Sequence, residues 1–322
     1  MKEEYICPLC KAVLVSQSDG IKCKNDHFFP YISNTTSPVF DSAEENINEY
    51  NVSQAAEMHD NALKWLFATF GGSEHQLRKN LISRLNLQTG QKILVTGVGA
   101  GNDLPYLAEL LGENGTIFAQ DFSSPMLESA IERTKSVLGL DDYDIHFSVS
   151  DATNLPFKDN LFDATYHFGG LNIFPDIRKG ISEMDRVTKD GGRVVFGDEG
   201  LPAWLKNTDY GKMVINNNPL CIFDAPMSDI PETARKVNLS WDVGYCFYII
   251  DYTVSNQPLD LNIDIPHIGV RGGTIRSRYY GQLEGVNPQL KNELYELAKR
   301  MGLSRVDLLE KIIKDGLKDN GV

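Results

Sequence analysis

The chain has 322 residues, of which 42% are hydrophobic and 23% charged, and its formal net charge is −13. This composition excludes a fibrous, mucin-like or wholly disordered protein, and the length is enough to build a core without disulfides. The acidity argues against bulk polyanion binding and leaves room only for a local basic patch.

Residues 1–40 read as a small module. Cys7-Pro-Leu-Cys10 is followed by alternating apolar positions, an Asp19-Gly20 turn and Cys23. That is a knuckle, a strand, a turn and a strand. Zinc takes four soft or borderline ligands in a tetrahedron, and Cys7, Cys10 and Cys23 supply three of them. His27, at C-x3-H spacing, is the favoured fourth donor. Asp26 gives the shorter spacing, but oxygen is the poorer donor for a structural site. With four protein ligands no position is left for water, so the expected role is structural. Five cysteines, odd in number and sparse, do not make a secreted disulfide framework. The first ten residues lack the apolar core of a signal peptide, and no window approaches 18 charge-free apolar residues. A cytoplasmic protein with no membrane partner is expected.

Residues 41–60 are acidic, lack Lys and Arg, and read as a linker or solvated helix. Over 62–87 the spacing of Leu63, Leu66, Phe67 and Phe70, then Leu77, Leu81 and Leu85, predicts helices broken at Gly71-Gly72. A βα rhythm follows. Strands are predicted at 93–96, 116–120, 145–149, 162–167 and 192–197, with helices near 102–111, 124–138 and 177–187. Strands alternating with helices imply a parallel sheet covered on both faces.

After Asp198 the rhythm fails. Residues 201–243 read as an insertion or lid, rich in Asn, Pro and Gly. Residues 244–285 read as terminal strands, at 244–254 and 273–283. Residues 286–322 read as two short amphipathic helices split at Gly302. Helices so short need a docking surface, which a homodimer or the main domain would provide. The division is thus 1–40, 41–87, 88–200, 201–243, 244–285 and 286–322.

The sharpest feature is Gly97-Val98-Gly99-Ala100-Gly101, between a strand and a helix. Gly97 permits a tight turn, Gly99 lets a ligand approach the backbone, and the helix beyond offers unpaired N–H groups. Packing alone also uses glycine in such turns. The dinucleotide fingerprint is G-x-G-x-x-G, whereas this loop is G-x-G-x-G with Asn102 in the last glycine's place. S-adenosylmethionine and NAD are the candidate ligands. Asp121, ending the second strand, can accept both hydroxyls of a ribose. Asp151 can accept an adenine amino group, with Ala152 offering its backbone N–H. A plain helix cap is the competing reading of both aspartates.

These residues and their surroundings resemble a class I S-adenosylmethionine-dependent methyltransferase, of the ubiquinone/menaquinone-biosynthesis type. The likeness spans about residues 88–200. Its strongest part is Asp151-Ala152-Thr153-Asn154-Leu155-Pro156-Phe157-Lys158-Asp159-Asn160-Leu161-Phe162-Asp163. Asp121-Phe122-Ser123, Phe168-Gly169-Gly170-Leu171-Asn172 and the stretch from Glu183 to Arg193 also match. The resemblance implies an α/β, Rossmann-like sheet. It implies that the glycine loop carries the methionine part, Asp121 the ribose, and Asp151 and Ala152 the adenine, with Phe122 and Leu155 flanking the ring. Where that family has an acidic residue two positions before the first glycine, this chain has Val95, and Asp103 is the candidate substitute. The N-terminal module resembles the zinc ribbon of 23S rRNA guanine-N1 methyltransferases, which implies an RNA acceptor. Its own charges balance to zero, with Lys2, Lys11, Lys22 and Lys24 against Glu3, Glu4, Asp19 and Asp26.

On the acceptor side, His167 and His267 are candidate bases, since an imidazole titrates near neutrality. A hydrogen-bonded wall histidine is the competing reading of His167. Arg271, Arg276 and Arg278 form the densest basic run. Alternation through 274–279 places Arg276 and Arg278 on one strand face, where they can hold a carboxylate or phosphate, or form salt bridges. Tyr245, Trp204, Trp241 and Tyr280 are candidate walls for an apolar acceptor, or core. The leading expectation is methyl transfer to a small molecule. The alternatives are an rRNA or tRNA base methyltransferase, and a non-catalytic cofactor-binding partner protein that Val95 would favour.

Overall fold

The computed structural model describes residues 4–40, 54–270, 272–279 and 287–321. Three short strands come first: β1 (Leu14–Ser16), β2 (Gly20–Cys23) and β3 (Phe28–Pro30), paired antiparallel in chain order. Two helices follow, α1 (Ala55–Phe70) and α2 (Glu74–Ser83). They break at Gly71 and Gly72, whose φ of 77° and 94° other residues adopt only with strain.

The βα rhythm then unfolds as β4 (Lys92–Thr96), α3 (Leu104–Leu111), β5 (Thr116–Asp121), α4 (Ser124–Ser136), β6 (Asp144–Val149), β7 (Phe162–Phe168), α5 (Ile177–Val187) and β8 (Thr188–Glu199). Ile93, Leu94 and Val95 are almost fully buried, as expected of a central parallel strand covered on both faces. Capping fixes two helix starts: the Ser123 hydroxyl accepts from Met126 N, and Asp176 accepts from Lys179 N. Beyond β8 lie α6 (Ala203–Lys206), α7 (Asp209–Asn217), β9 (Ala234–Asp242) and β10 (Phe247–Val254).

The main sheet has seven strands in the order β6-β5-β4-β7-β8-β10-β9. Strands β4 to β8 run parallel, and β10 lies antiparallel between β8 and β9. The sheet is therefore mixed, and two expectations change. Residues 201–243 are not wholly an insertion, because β9 within them is the edge strand. Residues 273–283 do not begin as a strand: α8 (Ile275–Tyr279) forms there, and 280–286 lie outside the described residues. Thr274 starts this helix by accepting from Ser277 N on its side-chain oxygen, at 3.1 Å.

The N-terminal module is not a bead on a linker. Tyr5, Phe29 and Phe40 share one buried cluster with Leu94, Phe118 and Phe162 of the main sheet, Phe157 of the loop before β7 and Val187 at the end of α5. Phe118 meets Phe157 and Phe162 edge to face, and Tyr5 stacks on Phe157 at 5.0 Å. Phe157→Ala is expected to cost about 3–5 kcal/mol, as deletion of a fully buried ring does. The midpoint of denaturant unfolding measures it, and an unchanged midpoint would contradict the shared core.

The chain divides into two compact units, Met1–Pro258 and Leu259–Val322. In the second, α8 precedes α9 (Pro288–Met301) and α10 (Arg305–Asp319). Gly302, at φ 65°, turns the chain between the last two helices, and Arg305 lies over the Tyr295 ring. Among the described residues no helix is long and apolar enough to cross a membrane.

Candidate cofactor and metal sites

After Thr96 the chain turns sharply through Gly97, Gly99 and Gly101, at φ of 62°, 56° and 83°. A side chain at Gly97 would also meet His167, whose Cε1 lies 2.9 Å from the position of the added carbon. At Gly99 such a carbon would meet only Met126 Cε, at 3.5 Å, so this backbone has open space above it. The loop is held to the next strand by Asp121, which accepts from Gly99 N and Ser123 N, both at 2.8 Å. Burial pushes the Asp121 carboxyl up, and the backbone N–H groups of Ser123 and Gly99 pull it back down. Phe122 beside it is half-buried.

The third strand delivers the next loop. Asp151 accepts from Thr153 N and Thr153 Oγ1, both at 2.7 Å, and Ala152 is buried. Ser150 N donates to Asp121 O, so the two carboxylate-bearing turns are joined through their backbones. Leu155 does not flank a ligand ring. It is fully buried in the core shared with the N-terminal module.

Asp103 is not a free carboxylate. It accepts from Arg78 Nη1 at 2.6 Å, and Arg78 also pairs with Glu74 at 2.7 Å. Arg78 is 6% exposed and ties α2 to the start of α3 beside the glycine loop. Helix α1 reaches the same loop: Asp60 accepts from Asn102 Nδ2 at 3.2 Å and pairs with Arg133 at 3.3 Å. Ala55 packs with Ala100 and Met126. Neither Arg78 nor Asp60 was legible as a site residue, because each lies in an unrelated helix far upstream.

His167 is 1% exposed. Its Nδ1 lies 2.9 Å from Thr96 O, so this nitrogen carries the proton and donates. The ring meets Phe174 edge to face at 5.1 Å. Burial lowers its pKa to about 4, so the imidazole is neutral at pH 7. The sequence admitted a base or a wall residue here, and this geometry is that of a wall residue under Gly97. The folded pKa lies below the unfolded value of about 6.5. Its contribution to stability is therefore complete above that value and lost as pH falls toward about 4. The expected loss is about 3 kcal/mol, measured as denaturation against pH, and His167→Asn should flatten that slope.

A second acidic pair stands at the carboxyl end of β8. Asp198 is fully buried and accepts from Gly170 N and from Glu199 N, at 3.3 and 2.8 Å, and from Asn172 N. Asn172 Nδ2 donates to Glu199 O at 2.7 Å. Burial, then the Glu199 carboxylate beside it, pushes Asp198 well above the usual carboxylate range. Strand ends of this kind line ligand crevices in open α/β sheets, a signal the sequence contained at Asp198-Glu199. Trp241 Nε1 donates to Gly200 O at 3.1 Å, and Trp204 packs on Trp241 at 5.2 Å.

Tyr245 is half-exposed, at φ 64° in the turn between β9 and β10. His267, Arg276 and Arg278 belong to the second unit. His267 Nδ1 accepts from Gly269 N at 3.0 Å. Arg276 makes a two-pronged pair with Asp264, at 2.7 and 3.0 Å, and Arg278 donates to Gly272 O. Because α8 is a helix, Arg276 and Arg278 share no strand face. Arg271 and Tyr280 lie outside the described residues.

In the N-terminal module, donor atoms of Cys7, Cys10, Cys23 and His27 lie within 4.8 Å of one another. His27 Nδ1 is 3.4 Å from both Cys7 Sγ and Cys23 Sγ, and Cys10 Sγ is 3.7 Å from Cys23 Sγ. A zinc tetrahedron has sulfur–sulfur edges of about 3.8 Å and sulfur–nitrogen edges of about 3.5 Å. The donor set fits such an ion. Asp26 is engaged by Lys22 instead, at 2.8 Å.

The seven-stranded mixed sheet and its glycine loop define the α/β, Rossmann-like fold of class I methyltransferases. The methyltransferase-domain family model matches residues 94–196. The demethylmenaquinone methyltransferase of Staphylococcus epidermidis is 35% identical over 155 residues, covering 48% of this chain and 59% of that protein. The Geobacillus stearothermophilus enzyme of the same name is 38% identical over 127 residues, covering 39% and 53%. The chain thus spans little more than half the length of these relatives. Among solved structures, phosphoethanolamine N-methyltransferase 2 of Haemonchus contortus matches 66% of this chain and 61% of its own, at 16% identity and a TM-score of 0.49. A SAM-dependent methyltransferase from Aquifex aeolicus matches 55% and 89%, at 19% identity and a TM-score of 0.39.

Proposed function

We propose that the protein transfers a methyl group from S-adenosylmethionine to a small-molecule acceptor. The observation that carries this reading is Asp121. Its carboxylate ends β5 half-buried, tied to the open glycine loop at Gly99 and backed by the Asp151 loop. That donor set suits a nucleoside: Asp121 for the ribose hydroxyls, Asp151 and Ala152 for adenine, and the Gly97–Gly101 backbone for the amino-acid end. Arg78 and Asp103 form the charged floor beside that end. Bound there, the cofactor supplies an electrophilic methyl on a sulfonium.

The chain's own work is alignment, exclusion of water and proton removal from the acceptor. Asp198 and Glu199 face the acceptor side from the end of β8. Burial and the neighbouring Glu199 carboxylate push the Asp198 carboxyl up while three backbone N–H groups hold it in place, and Glu199 is the residue we assign as acceptor base. Trp204 and Trp241 offer an aromatic wall beside Gly200.

The zinc reading belongs to the same proposal: Cys7, Cys10, Cys23 and His27 hold a structural ion. An RNA acceptor is the less supported alternative. Lys11 and Lys22 are engaged by Asn154 and Asp26, and one side of the module is spent on the main sheet. The test is labelled methyl transfer from S-adenosylmethionine into demethylmenaquinone, a small-molecule extract and total RNA. Label in either small-molecule fraction supports the proposal. Label confined to RNA, or none in any arm, contradicts it.

A further inference from the structure

We infer that the metal knuckle is a positioning device for the adenine end of the cofactor site, an inference that rests on the methyltransferase reading above. The loop leaving β6 carries Asp151 and Ala152, and the N-terminal module grips it at four places. Val149 N donates to Pro38 O at 2.9 Å, and Phe40 N donates to Val149 O at 2.8 Å. Asn154 Oδ1 accepts from Lys11 Nζ at 3.0 Å, and Asn154 Nδ2 reaches Pro8 O at 3.5 Å. Ile6 N donates to Pro156 O at 2.9 Å. Tyr5 stacks on Phe157.

The middle anchor connects the two sites. Pro8 lies inside the knuckle between Cys7 and Cys10, and Lys11 follows Cys10. Lys11 N donates to Cys7 O at 2.7 Å, and Lys11 sits at φ 57°. The backbone shape that gathers the two thiols therefore also sets where Pro8 O and Lys11 Nζ stand. Asn154 N in turn donates to the backbone carbonyl of Asp151 at 3.0 Å, so the Asn154 anchor is joined to the backbone of the residue that carries the carboxylate.

The rest of the loop has other support. Arg186 of α5 donates to Leu155 O at 3.2 Å and Phe157 O at 2.8 Å, and Glu183 accepts from Leu155 N at 2.8 Å. Residues 155–157 stay pinned from that side when the knuckle loosens. The stretch 150–154 loses its tether to the module and keeps the bonds of Ser150 to Asp121 and Gln120 at its start. Strands of three or four residues hold little shape alone, and the core shared with the main domain supports the module from one side, so an ion on Cys7, Cys10, Cys23 and His27 would set the local geometry of the knuckle.

The test uses the full chain loaded with zinc, with Asn154→Ala, Lys11→Ala and Lys11→Arg. Zinc content, the calorimetric Kd for S-adenosylhomocysteine, and amide hydrogen exchange without cofactor are measured. The expected result is full zinc content in all three, with Kd raised roughly five- to twentyfold in the two alanine variants. Faster exchange should be confined to 150–154, Lys11→Arg should recover most of the affinity, and EDTA treatment of the unaltered chain should give the same local acceleration. Unchanged Kd and exchange in Asn154→Ala, or exchange at 150–154 indifferent to metal removal, would overturn the inference. An unaltered chain that binds no S-adenosylhomocysteine, yet shows metal-dependent exchange at 150–154, keeps the mechanical link and instead removes the cofactor reading.

Discussion

Asp121→Ala is expected to raise the Kd for S-adenosylhomocysteine on the order of a hundredfold, without unfolding the protein. Each hydrogen bond to a charged group contributes about 1.5–3 kcal/mol, and tenfold in affinity is about 1.4 kcal/mol. Two ribose hydroxyls on one carboxylate therefore account for about two decades or more. The same substitution frees Gly99 N and Ser123 N, so the glycine loop loses its tie to the turn after β5. Asp121→Asn keeps the shape and one acceptor oxygen, and should fall between the two. An alanine variant with unaltered affinity would move the ribose away from β5.

Glu199→Gln is expected to lower kcat about 10²–10⁴-fold, the usual worth of a positioned general base. The Kd for S-adenosylhomocysteine should stay within twofold, because Glu199 ends β8, which β4 and β7 separate from β5 and the Asp121 turn. The split between chemistry and cofactor affinity separates a base from a residue that merely supports the fold. An acceptor activated without proton removal would leave kcat unchanged, and that result would remove Glu199 from the mechanism.

Much of this architecture was legible because local pattern and global fold agree. Ile93-Leu94-Val95 followed by Gly97, Gly99 and Gly101 reads as a buried strand feeding an open turn, and the chain folds that way. The Cys7, Cys10, Cys23 and His27 spacings converge on one cluster. Other parts were hidden for physical reasons. Val237, Leu239 and Trp241 alternate as a strand should, but β9 is a half-exposed edge whose polar residues blend into an Asn- and Pro-rich stretch. Thr274 to Tyr279 alternates with period two over too few residues to exclude a helix, and the Thr274 cap decided the matter. The seat of the N-terminal module was invisible, because Tyr5, Phe29 and Phe40 read equally well as its own core. Arg78 meets Asp103 only through tertiary packing.

The most direct measurement is a calorimetric titration of S-adenosylhomocysteine into the full chain loaded with zinc, run beside Asp121→Ala. The expected result is one site per chain with a Kd of about micromolar order, weakened by the substitution. A cooperatively folded, zinc-loaded chain that shows no binding would contradict the account.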